Sequence, residues 1–426
     1  MCALALLLAL PLTAAAENWP GFRGPTGQGH STETGLPQQW SPTNHVAWKT
    51  ATPGQGWSSP IVWGGRVFVT TTKENGTKCH VLCLDAGGGK ILWDKPVFEQ
   101  VPLRKEGKNS YATPTPTTDG ERIYAAFGDG SIAAVTFDGS VVWTNREVPF
   151  YSRHGLGASP LLHGGLLIQT YDGSQRVKEA GQYPNNSPDE KTGWLIPWEQ
   201  ALIVALDVKT GRRVWTGRRG KSRIAHASPI VLREGGQEQL LSIAGDVVQG
   251  FDFKTGEQLW SVHCQGESPV PSTVTGDGLI FAGSGFEKPT VRGIRAGGQG
   301  DATATPIAWE QRKGVPNQAS LLYAKPHLYA VTDGGVVTCY QGGTGNILWQ
   351  ERVGGTFSPS PLLAGGKIYF LNEAGETTVL AVGSEFKIVS KNSLGEKTQA
   401  SMAASDGRLF IRTEKNLFCI AAPLEK

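Results

Sequence analysis

Residues 205–215 read ALDVKTGRRVW and residues 250–260 read GFDFKTGEQLW. The two stretches share one order: a small or apolar run, an Asp, a Thr-Gly pair, then an apolar residue and a Trp. Further copies occupy 81–93 (VLCLDAGGGKILW) and 337–349 (VTCYQGGTGNILW). A shorter form, AAVTFDGSVVW, ends at Trp143, and a divergent one, IAWEQ, surrounds Trp309. Each reads as a β-hairpin. The Asp carboxylate can accept from backbone N–H groups of the turn, the Gly tolerates positive φ, and the following strand sets Trp at a fixed distance from the turn. An indole there is a large apolar plate able to cover the neighbouring unit, its N–H free to find a carbonyl.

The other half of the unit recurs too. SSPIVWGGRVFVTTT starts at 58, ASPLLHGGLLIQTY at 158, SPSPLLAGGKIYFLN at 358 and ASMAASDGRLFIRT at 400. Related starts fall at 112, 227, 268 and 319, eight in all. Each supplies an inner strand, a tight turn and a second strand, and the Trp hairpin adds strands three and four. Four short strands repeated roughly every 40–50 residues describe propeller blades. The eighth unit stops after NLFCIAAP, its third strand. HVAWKT, residues 45–50, carries Trp48 ahead of the first full blade and can serve as the missing strand, which would close the ring and remove two sheet edges. The expected fold is all-β: an eight-bladed propeller of four-stranded antiparallel blades over residues 45–423. Its Trp series is Trp48, Trp93, Trp143, Trp215, Trp260, Trp309 and Trp349. Blade 7, with SEFKIVS, lacks the Trp.

This pattern resembles the pyrroloquinoline-quinone (PQQ) repeat, or tryptophan-docking motif, over nearly all of residues 45–420. The resemblance implies two kinds of activity. Quinoprotein dehydrogenases of this architecture hold PQQ and a calcium ion on Glu, Asn and Asp side chains. Proteins similar to BamB are non-enzymatic assembly propellers. NWPGFRGPTGQG, followed by WSPTNHVAWKT, looks most like exported PQQ-like propellers. No adjacent Cys pair and no haem-attachment motif is present, and no Glu/Asn/Asp calcium set can be matched. Asp129, Asp172 and Asp246 follow second strands, where turn Asp is the commoner role.

The chain has 426 residues, 56 of them Gly and 13 Trp, and a net charge of +3, which gives no general bias toward nucleic acid. MCALALLLALPLTAAAE reads as a signal peptide ending near Ala16, too short to span a bilayer, although no Lys or Arg precedes its apolar run. The protein is therefore expected to be exported, periplasmic or secreted, with residues 17–44 as an N-terminal extension and no transmembrane helix. Cys83, Cys339 and Cys419 fall in the slot held by Ala205 and Gly250 and read as buried packing thiols. Cys79 and Cys83, about 13 Å apart in an extended strand, are too distant for a disulfide.

In a propeller, the loops joining strand four to the next strand one share a face with the loops joining strands two and three. The residue before each SP-like start would ring the channel mouth there: Trp57, Tyr111, Gly157, His226, Ser268, Gln318, Ser358 and Gln399. Three loops bring basic residues to the same face: Arg104, Lys105 and Lys108; Arg146 and Arg153 with His154; and Arg218, Arg219, Lys221 and Arg223. An insertion in blade 3, residues 174–200, adds Trp194 and Trp198. The expected site is thus a basic, aromatic mouth for a protein or acidic glycan partner. The expected role is a non-catalytic binding or envelope-assembly scaffold, with neither metal nor cofactor. The alternative is a PQQ- and calcium-dependent dehydrogenase of alcohols or sugars.

Overall fold

The computed structural model describes residues 17–422, apart from 103–104, 149, 151, 153, 173–194, 197–200, 221, 235, 246, 265, 267–268, 287 and 304–306; the side chains of 195–196, 222–223 and 234 are also outside the description. Eight antiparallel blades stand in a ring, and the helical content of the described residues is one short 3-10 turn, Glu74–Gly76. Blade 1 shows the plan: Ile61–Trp63 lines the channel, then Arg66–Lys73, Lys78–Asp85 and the outer strand Ile91–Glu99. The middle strands are buried along almost their whole length because each is sandwiched between two neighbouring blades. Outer strands such as Ile347–Arg352 are mostly exposed.

Val46–Ala51 is the outer strand of blade 8, paired antiparallel to Asn416–Ala421 with Trp48 opposite Cys419. The ring closes as the sequence predicts. Among the described residues, blade 4 alone has a fifth strand: Gly300–Asp301 runs parallel to Gln258–His263.

Every outer-strand Trp faces a small residue or a Cys on the third strand. The pairs are Cys83–Trp93, Ala134–Trp143, Ala205–Trp215, Gly250–Trp260, Gly293–Trp309, Cys339–Trp349 and Cys419–Trp48. Blade 7, without the Trp, has Val379 opposite Ser390. The three Cys of this slot are buried thiols, and burial raises each pKa to about 12, so they act as small apolar side chains.

The indoles dock on the next blade. Trp48 Nε1 donates to Ala86 O (2.9 Å), Trp93 to Phe137 O (3.0 Å), Trp143 to Val208 O (2.9 Å), Trp309 to Gly342 O (2.8 Å) and Trp349 to Gly383 O (3.3 Å). The turn glycine serves two needs here. Gly89, Gly139, Gly211, Gly256 and Gly345 all have positive φ, and a Cβ on any of them would meet the docked indole at 2.3–3.1 Å. Trp215 rests on Gly256 without an acceptor for its N–H, and Trp260 bonds instead to Gln239 of its own blade.

Residues 17–44 are tied into the ring. Trp19, 1 % exposed, bridges to Val62 of blade 1, and Thr118 N donates to Pro20 O. Arg23, also buried, donates to Gln28 O and to Leu321 O, the latter just ahead of the inner strand of blade 6. Gln28 accepts from Thr275 of blade 5, His30 pairs with Leu363 of blade 7, and Glu33 receives the N–H groups of Asp406 and Gly407 in blade 8. Apart from the Arg23 contact to Leu321, which reaches up the channel wall, these contacts fall along the inner strands or at their far ends, so the segment straps the face opposite the predicted mouth. Trp40 then joins the buried cluster that holds Val379, Leu371 and Leu394 of blade 7, while its backbone N–H donates to Asn392 Oδ1. The strap thus brings an indole to the blade that lacks one.

Candidate functional site

The inner strands begin with a repeated element that reads residue, small residue, Ser or Thr. The backbone N–H of Ser59 donates to Thr115, Thr115 to Ser159, Ser159 to Ser228, Ser228 to Ser272, Ser272 to Ser320, Ser320 to Ser360, Ser360 to Ser401, and Ser401 back to Ser59. All eight bonds lie between 2.8 and 3.1 Å. They form a closed collar. Each hydroxyl accepts from the preceding blade and keeps its own O–H for the lumen.

The collar fixes the frame of the mouth. Two residues before it stand Trp57, Thr113, Gly157, His226, Val270, Gln318, Ser358 and Gln399, all lining a cavity of about 570 Å³. Six of these are the residues the sequence names. Tyr111 is a correction: the mouth position of blade 2 is Thr113. Tyr111 packs instead on Gly76 and Gly128, between the hairpin tips of blades 1 and 2, with Lys105 Nζ 5.4 Å from its ring. In blade 5 the mouth position is Val270, and Ser268 lies outside the described residues. In TPTP the collar residue is Thr115, so the repeat proline is Pro116 and not Pro114; in SPVPST the collar residue Ser272 is followed by Thr273, and neither proline stands at the repeat position.

Phe22, from the strap, lines the same cavity. The channel is therefore a cup, floored at the strapped end and open at the mouth. The loop between blades 1 and 2 forms part of its lip. Lys108 reaches Glu373 of blade 7 at 3.0 Å, and Asn109 donates to His154 O ahead of blade 3 at 2.7 Å. His154 meets His226 edge to face, ring centres 5.5 Å apart. Burial, with His154 adding to it, lowers the His226 pKa to about 3, so this imidazole is neutral at neutral pH. The side chains of Trp57, His226 and Gln399 line the cavity without a hydrogen bond to any described residue.

The basic loops are not as the sequence suggests. Arg219 turns inward. Its guanidinium is buried against Asp172, equally buried, and also bonds to Ser242 Oγ (2.7 Å) and Gln249 Oε1 (3.3 Å). Burial raises the Asp172 pKa to about 6 against the pull of Arg219. Arg219 is thus a structural residue. Arg218 is exposed at the mouth-side end of Arg213–Arg218 and has a bonding partner. Arg146 pairs with Asp129 at 3.1 Å. Arg104, Arg153, Lys221, Trp194, Trp198 and Asp246 lie outside the described residues, as does the Arg223 side chain. The backbone of Ser222–Arg223 pairs with Leu195–Ile196, which joins the middle of the WLIPW insertion to the loop after Arg219.

The donor set can be weighed against PQQ and calcium. Among the described residues no three His, Cys, Asp or Glu side chains gather as a metal cradle. Among the described residues, the charged side chains lining the cup are Glu106 and Lys108, and Lys108 is already paired. A divalent ion with a tricarboxylated quinone would need several acids and a cluster of cations. The described residues do not fit that group.

Blades locked by docked indoles, around a channel floored at one face, define a propeller of the PQQ-repeat class. A family model described as outer membrane protein assembly factor BamB matches residues 32–146, 192–301 and 299–385. The chain belongs to that family. It is 26% identical to outer membrane protein assembly factor BamB of Burkholderia pseudomallei over 60% of this chain and 70% of that protein. It is 22% identical to tetrathionate hydrolase of Acidithiobacillus ferrooxidans over 77% of this chain, and spans only about half (51%) of that longer protein. The crystal structure of BamB from Moraxella catarrhalis shares the fold, with a TM-score of 0.57, 13% identity, and 89% and 98% of the two chains covered.

Proposed function

We propose that this protein is an exported, non-catalytic binding propeller of the cell envelope whose partner or ligand engages the mouth of the cup. One observation carries the reading: the strap floors one end of the channel, while the other presents Trp57, His226 and Gln399 with uncommitted side chains. Each stands two residues before a collar hydroxyl that is hydrogen-bonded across the seam, which fixes its backbone as a binding site requires. The family description, an outer membrane assembly factor, and the apolar leader over residues 1–16 support an envelope location. No helix among the described residues is long and apolar enough to cross a membrane. A photo-crosslinking residue at position 57 is expected to trap a specific partner in the envelope fraction, whereas one in the strap, at Pro25, should not. Equal trapping at both would sink the reading. Purified protein given PQQ and calcium is expected to show no dye-linked alcohol oxidation. Turnover above a quinone-free control would replace this reading with the dehydrogenase.

A further inference from the structure

Resting on the binding reading, and naming the ligand class for the same cup, we infer that the cavity takes a small neutral saccharide. Four observations converge. The volume, about 570 Å³ under the lip of Glu106, Lys108 and Asn109, lies within the range of pockets that enclose a small organic ligand. A folded partner can touch the lip but cannot occupy that space.

Charge is the second. Glu106 and Lys108 cancel formally, Lys108 is bonded to Glu373, and His226 is neutral. Among the described residues lining the cup, an acidic glycan would meet no unpaired cation. Of the arginines expected at the mouth, Arg219 is buried against Asp172.

The third is hydrogen bonding. The collar directs eight O–H groups at the lumen, and the Gln399 amide and His226 ring nitrogens join them. A purely apolar ligand would strip water from these groups and leave each unpaired, which is costly for a buried donor. A polyol returns a partner to each, because every sugar hydroxyl both donates and accepts.

Stacking is the fourth. Trp57 is half-buried, its backbone N–H held by Ala112 O and Ser110 Oγ on the blade 2 side; it lines the same cavity as Gln399 and Phe22. An indole and an amide lining one cavity suit a pyranose, whose C–H face is apolar and whose rim is polar.

The test is isothermal titration, with tryptophan fluorescence, of the purified full chain. The probes are glucose, galactose, N-acetylglucosamine and their α- and β-linked disaccharides, with glucuronate and PQQ as charged comparators. Saturable binding of at least one neutral sugar is expected. Trp57→Ala should weaken it by about tenfold or more, the scale of one lost contact of ~1.4 kcal/mol. Trp57→Phe, which keeps a ring, should retain most of it, and Gln399→Ala should weaken it with an unchanged melting temperature. The inference is overturned if no neutral sugar binds below about 10 mM, a negligible affinity. It is overturned equally if only the charged probes bind, or if Trp57→Ala binds undiminished. A partner trapped through position 57 without any sugar binding would remove this inference and leave the binding-propeller reading standing. Sugar binding with no partner trapped would do the reverse for the scaffold role.

Discussion

At the scale of single residues, neighbours in sequence have unlike roles. Arg218 is exposed, whereas Arg219 lies buried against Asp172 with Ser242 and Gln249 beside it. Removing one partner of a buried pair strands the other charge. Arg219→Ala should therefore cost about 3–5 kcal/mol, and Arg218→Ala, at an exposed position, no more than about 1 kcal/mol. Urea unfolding of the two variants checks this, and equal midpoints would refute the burial of Arg219. The sequence could not separate the two, because Asp172 sits 47 positions upstream on the far side of the insertion. The Cys slot was legible for the opposite reason: its cause, a Trp directly across the hairpin, lies within one repeat. His226 gives a pH signature. Its native pKa, about 3, is below the ordinary 6.5, so the unfolded chain takes up a proton that the native ring refuses. Stability is complete above pH 6.5 and falls as pH drops toward 3, by at most about 1.4 kcal/mol per pH unit. His30, lowered by burial and by Arg23, adds a slope of the same sign. Melting curves of His226→Gln between pH 4 and 7 should be flatter than those of the parent but not flat. An identical slope would show that His226 protonates freely in the folded state.

At the scale of elements, the closing strand and the strap differ in how well the sequence announces them. Val46–Ala51 carries the repeat Trp, so its place was readable from the blade pattern. Its removal would expose the edge of Asn416–Ala421 and unseat Trp48 from Ala86 and Gly89. Deleting residues 45–51 should lower the melting temperature and promote self-association through that edge. A monomeric deletion variant with unchanged melting, by light scattering and calorimetry, would argue against closure by this strand. The strap has no repeat to announce it. NWPGFRGPTGQG carries a family likeness but no blade pattern; several of its glycines adopt positive φ, while Gly24 lies against Trp19 and Gly29 against Arg23. Its targets are spread over most of the ring, so no local pattern in the sequence could show that Phe22 floors the channel or that Trp40 joins blade 7.

At the scale of the whole molecule, the collar joins the blades that the docked indoles join farther out. A propeller is held by contacts between neighbours, and a ring has no terminal blade to fray only if its last contact is made. The bond from Ser401 to Ser59 is that contact on the inner wall, as Trp48 on blade 1 is on the outer. The collar also decides the chemistry of the lumen, since the hydroxyls that accept across each seam are those that face a ligand. Stability and binding can be separated by choosing the substituent. Ser228→Ala leaves the Ser159 N–H without its acceptor at a part-buried seam, which should cost about 1–3 kcal/mol. Ser228→Thr keeps the oxygen, as Thr115 does at the same position of blade 2, and should hold stability close to that of the parent. Urea midpoints with unchanged m-values would locate the effect in the native state. A Ser228→Ala protein as stable as the parent would mean that water replaces the lost acceptor. The collar would then line the cup without bracing the ring.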